Sequence, residues 1–339
     1  ELFNRETLIP FVAVLLFAVH PIHAEVIANV KGRDEILTFI FLIVSITTFL
    51  KYKATKKKYF LVLSCFMFFL GLLTKETAIT YIAVFPLLLY FFKGESIIST
   101  LKSIWPIVTT LALYFVIRYH FVGFSQMEIP DVTNSPYILA SPLQAFATKI
   151  FVVSKYFYLL VFPITLTSEY GYNQIPYLNV NSLEFVVAIT VLISLVLISL
   201  FLFKERSVIS FGILYVLITL SVGTNLIFDF GAPMAERMLF IPSLGFCILL
   251  SYILYLVLKK SRKILVCLLF IIPFYSFSTV KRNSEWKDND SLFFADIVKS
   301  PNSSRLNLYV SEIYIGKYLK EVSVENKSIY LDSAKYYID

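Results

Sequence analysis

The sequence predicts an all-α fold: a polytopic bundle of membrane helices over residues 1–280, then the start of an extracytoplasmic α-solenoid over residues 281–339. Three observations predict it. About nine long runs rich in Leu, Ile, Val and Phe fill the first 280 residues, and hydrophobic residues make up 58% of the chain against 16% charged, well away from the balance of a soluble domain. The short loops between the runs sort by charge sign. Beyond residue 280 the apolar positions scatter among nine basic and nine acidic residues, the pattern of helices that meet water.

The runs lie at residues 9–20, 36–50, 59–73, 78–92, 104–117, 185–203, 208–228, 238–258 and 264–280. A bilayer core takes roughly 20 apolar residues as helix, fewer when flanking groups snorkel. Every backbone polar group inside it has to be satisfied within the segment, so these runs are helices. Four loops are basic, residues 51–58, 93–102, 204–206 and 259–263, and hold 13 Lys/Arg against 2 Asp/Glu. The alternate set, residues 20–35, 75–76, 118–184 and 229–237, holds 7 against 10. Excess Lys/Arg marks the cytoplasmic side, which places the first set in the cytosol and the second outside. The net charge of +7 is therefore a topology signal. A nucleic-acid partner would need that charge clustered on one folded face, and no such cluster is present.

Parity adds a constraint. Residues 145–162 are apolar, yet both ends of the 118–184 segment have to face outward. This stretch carries Lys149, Ser154 and Lys155 and then Tyr156, Phe157 and Tyr158. It reads as an amphipathic helix lying in the outer interface, or as a re-entrant segment; an ordinary span would turn one charged loop the wrong way. Past residue 281, Pro301-Asn302 precedes a helical pattern through Leu306, Tyr309, Ile313 and Tyr318, with a second helix expected near residues 329–338. Paired short helices are the unit of tetratricopeptide repeats, of about 34 residues each. One unit cannot bury its own apolar face, so a stack is expected to continue past Asp339. The opening at Glu1, without Met or a signal sequence, is likewise expected to be a cut within a longer protein. Cys65, Cys247 and Cys267 all lie in apolar runs, as packing residues rather than a disulfide framework or a zinc site.

Ionisable groups near membrane helices mark sites by default, and here they gather on the outward side. Residues 20–25 (HPIHAE) bring His20, His23 and Glu25, and residues 29–35 (NVKGRDE) bring Arg33. Two His and a Glu invite a metal, but Pro21 breaks the spacing and no zinc pattern results; no metal is expected. Acid, base, phosphate-contact or capping roles stay open for them. Lys75 and Glu76 sit at a tight turn between two apolar runs, either as an ion pair closing a hairpin or as a partner for a lipid phosphate. Glu236 and Arg237 repeat that arrangement, and Arg118 is a third cation at the same level. Planar Arg binds phosphate in bidentate fashion. Tyr170 and Tyr172 lie in the outer loop, where Tyr favours interfaces.

Several strings occur together in the order of a known group: HPIHAE at 20–25, KGRDE at 31–35, TKETA at 74–78, FPITLTSEYGYN at 162–173, AERMLFIPSLGFCIL at 235–249 and NSEWKDNDSLFF at 283–294. In these the chain resembles the transmembrane and tetratricopeptide-repeat-containing O-mannosyltransferases, over essentially its whole length. The resemblance implies a GT-C type membrane bundle with an extracytoplasmic active site. It also implies a polyprenyl-phosphate sugar donor with no further cofactor, a protein Ser/Thr hydroxyl as acceptor, and repeats that hold the polypeptide. In that group the acidic pair expected to supply the general base lies in the first extracytoplasmic loop, upstream of Glu1. The residues present would then contact donor and phosphate: Lys75, Arg118, Arg237 and Arg33 for the phosphate, with His20, His23, Glu25, Glu76 and Glu236 orienting them. All six groups His20, His23, Glu25, Lys75, Arg118 and Arg237 are expected on one cavity, with a lipid phosphate completing the charge balance.

Two other classes compete. A transporter would place charges near the bilayer midplane and show internal repeats, whereas the run interiors here are nearly free of charge. A non-enzymatic scaffold presenting repeats has no need of a one-sided polar cluster. The Lys- and Ile-rich composition favours a bacterial inner membrane over the endoplasmic reticulum.

Overall fold

The computed structural model describes residues 5–123, 135–227, 229–258 and 264–338, and among these every regular element is helical. α1 (Arg5–Val19) leads through a 3-10 turn (Pro21–His23) into the short α2 (Ala24–Ala28). A second turn (Val30–Gly32) opens α3 (Arg33–Thr55), and α4 (Lys58–Thr74) returns beside it. A 3-10 turn (Glu76–Thr80) starts α5 (Tyr81–Lys93), followed by α6 (Ile97–Ser103), α7 (Trp105–Phe121), α8 (Pro142–Val161), α9 (Leu183–Phe201) and α10 (Val208–Leu220). The turn Glu236–Leu239 then leads into α11 (Phe240–Val257), and α12 (Ile264–Glu285) ends the bundle before α13 (Asn289–Ile297), α14 (Ser304–Lys320) and α15 (Val324–Ile338). Each of the nine apolar runs lies in or across one of these helices.

The runs differ in length and straightness. Among the described residues, four stretches are long and apolar enough to cross a bilayer: Val30–Thr55, Glu76–Lys93, Leu183–Phe201 and Glu236–Val257. The number rises to six if two bent pairs, Thr7–Val19 with Pro21–Ala28 and Ile97–Ser103 with Trp105–Phe121, each make one span. Lys58–Thr74 and Val208–Thr224 are apolar but shorter. Both bends fall just before a proline, Pro21 and Pro106, in the first turn of the following helix, where its missing N–H costs nothing. The chain is a multi-pass membrane protein.

Lipid is as apolar as Leu, so helices in a bilayer associate through close packing and polar contacts rather than hydrophobic burial. α10 and α11 touch at Gly212 and Gly245, where a Cβ on Gly212 would lie 2.8 Å from the Leu249 Cβ and 3.1 Å from the Gly245 carbonyl. α3 and α4 are joined by reciprocal bonds: Ser45 Oγ donates to Ser64 O at 2.7 Å, and Ser64 Oγ to Ser45 O at 2.8 Å. One apolar cluster is built on α1, α8 and α11, and another on α3, α4, α5 and α10.

The charge split predicted from the loops reappears as two ends of the bundle. Lys53 pairs with Glu95 at 2.9 Å, and Arg206 Nη2 donates to the Glu95 carbonyl at 3.2 Å, so loops 51–58, 93–102 and 204–206 meet at one end. The fourth basic loop, residues 259–263, lies outside the described residues. At the other end of α3, Lys75 pairs with Asp34 and Glu35; the 23 residues between these ends span about 34 Å of helix.

α8 keeps to the Lys75 end along its whole length. Its first turn, a capping box of Ser141 and Gln144, bonds Asn179. Lys149 pairs with Asp229, the Tyr156 hydroxyl accepts from the Ala235 N–H, and Leu160 O contacts His20. All of these partners lie in the outer loops, and only the first half of α9 packs on α8, which fits a helix lying along the surface. Of the segment before it, residues 124–134 lie outside the described residues. Beyond the bundle, α14 and α15 form the expected hairpin: Tyr314 stacks on Tyr337 with ring centroids 5.9 Å apart, and Ser311 Oγ donates to Ala334 O at 3.0 Å.

Candidate functional site

The helix breaks at the Lys75 end explain how its polar groups are arranged. α1 stops before Pro21, and His20 caps the following turn, its Nδ1 accepting from the Ile22 N–H at 3.3 Å. That role leaves the ring proton on Nε2, which donates to Leu160 O at 3.0 Å and ties this corner to the end of α8. His23 Nε2 lies 2.8 Å from Ser243 Oγ of α11, and its ring packs against Phe17 and Phe240. Both imidazoles are buried. Among the described residues no group of three His, Cys, Asp or Glu could hold a metal.

Neighbouring residues 236 and 237 turn to different partners. Arg237 Nη1 donates to Glu25 Oε1, and the Arg237 backbone N–H to Glu25 Oε2, both at 2.9 Å. Glu25 is 3% exposed, so this pair is a buried charge contact with both carboxylate oxygens used. Glu236 turns inward, its Oε1 accepting from the Thr167 N–H at 2.6 Å and from the Tyr170 hydroxyl at 2.7 Å. Burial, with the Glu236 charge beside it, pushes the Tyr170 phenol well above its ordinary range.

The remaining cations pair along the turn after α4 and the end of α7. Lys75 Nζ lies 2.7 Å from Glu35 Oε1 and 3.1 Å from Asp34 Oδ2. Arg118 Nη1 donates to Glu76 Oε1 at 2.9 Å and to the Tyr114 hydroxyl at 3.1 Å. The Glu76 side chain is 64% exposed; Arg33 is exposed as well. Lys75, Glu76 and Arg118 line a cavity of about 250 Å³ whose other walls include Tyr114, Leu73 and Phe121.

The expected site residues divide between a cavity and buried helix contacts, although the Glu35 carboxylate feels the charges of both Lys75 and Arg237. Lys75 and Arg118 share the cavity; Arg237 is drawn to Glu25 and the two His rings into helix contacts, and none of these four lines it. The expected charge deficit is absent. Asp34 and Glu35 join Glu25 and Glu76 opposite the three cations, so no anion is needed for balance. These two acids went unassigned because adjacent carboxylates in the first turn of a helix read as dipole caps.

A second group escaped the sequence reading. Arg282, at the end of α12, grips Asp296 of α13 with Nη1 to Oδ1 at 2.6 Å and Nη2 to Oδ2 at 3.0 Å. The Ser168 N–H donates to Asp296 Oδ2 at 2.7 Å. Residues 167–170 are thus held from below by Glu236 and from above by Asp296. Burial raises the Asp296 carboxyl, but the bonds and charge of Arg282 outweigh it and hold the group below its ordinary value. The sequence signal was only a Trp286-centred string with mixed charges.

Among known proteins, the chain is similar to a protein O-mannosyl-transferase of Caenorhabditis elegans, 25% identical over 305 residues that cover 90% of this chain and 43% of the relative. It is 26% identical over 328 residues to the protein O-mannosyl-transferase TMTC3 of Homo sapiens, covering 87% of this chain and 36% of the relative. With TMTC4 of Mus musculus it shares 26% over 345 residues, 88% of this chain and 46% of the relative. The chain therefore spans less than half the length of these relatives. No family profile and no solved structure matches it. The resemblance drawn from the six strings agrees with these relatives. They are animal proteins, and they lend no support to the bacterial inner membrane expected from composition.

Proposed function

We propose that this chain is part of a membrane glycosyltransferase that moves a sugar, mannose by analogy with its relatives, from a polyprenyl-phosphate donor to a Ser/Thr hydroxyl of a protein on the extracytoplasmic face. The observation that carries this reading is the Lys75–Arg118 cavity: cations and apolar walls side by side, at the bundle end opposite three basic loops. Such a cavity suits a ligand with a phosphate head and an isoprenoid tail. As the glycosidic bond to the lipid phosphate breaks, negative charge grows on the departing oxygens, and fixed cations aimed there lower the barrier.

The residues differ in how readily they could serve. Arg118 is held by a single exposed carboxylate, an interaction of about 0–1 kcal/mol, so a phosphate can displace Glu76 at little cost. Arg33 is exposed and equally accessible. Lys75, between two carboxylates, contributes position and field more than a free donor. Arg237 is committed to buried Glu25 and shapes the floor of the region instead. In this reading Arg118 and Arg33 contact the donor phosphate, Lys75 supports them, and α14–α15 begin a surface for the acceptor polypeptide. A membrane scaffold without chemistry would have no use for the cavity.

The test incubates the full-length protein in lipid with radiolabelled polyprenyl-phosphate mannose and Ser/Thr peptides, and follows label into peptide. Transfer lost in Arg118→Ala but retained in Lys53→Ala, at the opposite end, supports the assignment. Wild-type protein that transfers no sugar from any polyprenyl-phosphate donor overturns it.

A further inference from the structure

A second cavity at the same end of the bundle carries different chemistry. It occupies about 180 Å³ where the end of α12 meets the segment after α8, and its walls include Ile164, Phe274, Phe277, Lys281, Arg282 and Lys299. One face of α12 runs from Phe274 and Phe277 to Lys281, Arg282 and Glu285, positions that recur every three or four residues. Phe274 is 51% exposed, Phe277 70% and Ile164 64%, so the cavity opens beside an apolar lip. That sequence, apolar and then cationic along one helix face, is what a helix shows as it leaves a bilayer among lipid headgroups.

The cations here are not all paired, in contrast to the Lys75 end. Three cations line the cavity, against Glu285 alone in its wall and Asp296 behind it. Lys299 is shared between Glu285 and Asp296, and Arg282 between the same two acids. Lys281 is exposed and has no acidic partner among the described residues. Glu236 also acts on Arg282 from behind, so Lys281 is the cation that faces the cavity without a counter-charge. The space is well above the ~10–15 Å³ that a single water needs, enough for a phosphate-sized group. Cations on the protein beside a hydrocarbon-facing lip select a phosphate that brings its own acyl chains, rather than the free ion.

We propose that this cavity binds the phosphate headgroup of an anionic phospholipid, with Lys281 as its primary contact, and that the bound lipid docks the base of the α13–α15 segment onto the membrane. The site is separate from the Lys75–Arg118 cavity and does not depend on the sugar-transfer reading; it requires only that the bundle sit in a bilayer. Arg282 and Lys299 connect it to Asp296 and so to α13. The lipid would therefore act at the hinge between the bundle and the repeats.

The test reconstitutes the protein in nanodiscs of phosphatidylcholine with or without 20–30 mol% phosphatidylglycerol, ~ values chosen to approach a typical anionic surface, and counts co-purifying lipids by native mass spectrometry after detergent transfer. Expected is selective retention of phosphatidylglycerol, reduced about fivefold or more, a typical single-contact effect, in Lys281→Glu. Lys287→Glu, an exposed charge reversal outside the cavity, should leave retention unchanged. Both substituted residues are exposed, so folding is not at issue. Equal retention of the two lipids, or equal loss in both variants, overturns the proposal. Stabilisation of the detergent-solubilised protein by inorganic phosphate alone, without lipid retention, overturns the assignment to a lipid.

Discussion

The Lys75–Arg118 region and the Arg282–Asp296 junction use the same residue types at the same end of the molecule, and they use them oppositely. At the first, Glu76 is 64% exposed and meets Arg118 through one nitrogen. At the second, Asp296 is fully buried and meets Arg282 through two parallel bonds, with a backbone N–H from Ser168 completing the set. An exposed, single-contact pair is cheap to exchange for a ligand. A buried bidentate pair is costly to break because each partner would be left as an unpaired charge. Which charges shape the fold and which remain open to a ligand is thus decided by depth and valence of contact, not by residue type.

The sharpest way to break this comparison is Arg282→Ala. It removes both parallel bonds to buried Asp296, leaving only Lys299 at 3.3 Å and the Ser168 N–H, and should cost about 3 kcal/mol of stability, read as a large drop in the thermal midpoint of the detergent-solubilised protein. A drop no greater than that of Arg118→Ala would erase the distinction. Arg237→Ala comes next. It strands Glu25, but the Arg237 side chain is 26% exposed and water can reach the gap, so about 2–3 kcal/mol is expected. The same measurement applies, with Arg237→Lys recovering part of the loss.

Acid should weaken the junction. Asp296 is held below its ordinary value by Arg282 in the folded protein. Its contribution is therefore fully present above the unfolded carboxyl value of about 3.9 and is lost as pH falls through the lower folded value. Acid unfolding of the wild-type protein below about pH 4 should carry this loss; in Asp296→Asn that portion of the pH dependence should vanish. An unchanged acid limb would show that Asp296 does not carry the linkage. The smallest stability effect is reserved for Arg118→Ala, within about 1 kcal/mol, although donor affinity should fall about tenfold to a hundredfold if Arg118 meets the phosphate. A variant with altered stability but wild-type donor affinity would place Arg118 with the structural group instead.

Much of the fold was legible in the chain because its causes are local. Apolar runs have to be helical in a bilayer whatever they pack against, and loop charge reports the end of the bundle to which a loop belongs. The reading of α8 as an interfacial or re-entrant helix came from the parity of the loop charges, with Lys149 and Lys155 inside an apolar stretch as support. Even the pairing of α14 with α15 followed from where Pro301 and the aromatic spacing fall.

What only the tertiary structure decided is which partner each charge takes. Glu25 meets Arg237 across 212 residues, and His20 meets Leu160 across 140. No sequence pattern connects such positions, because their contact depends on how α1, α8 and α11 cross. The same holds for the number of full spans, set by where helices bend at Pro21 and Pro106, and for Asp34 and Glu35, whose role depends on Lys75 reaching back from the end of α4. The sequence by itself determined that charges gather at one end of a membrane bundle. Packing decided which of them neutralise one another there and which stay exposed enough to meet a ligand, since burial and contact geometry are properties of the folded arrangement rather than of the chain.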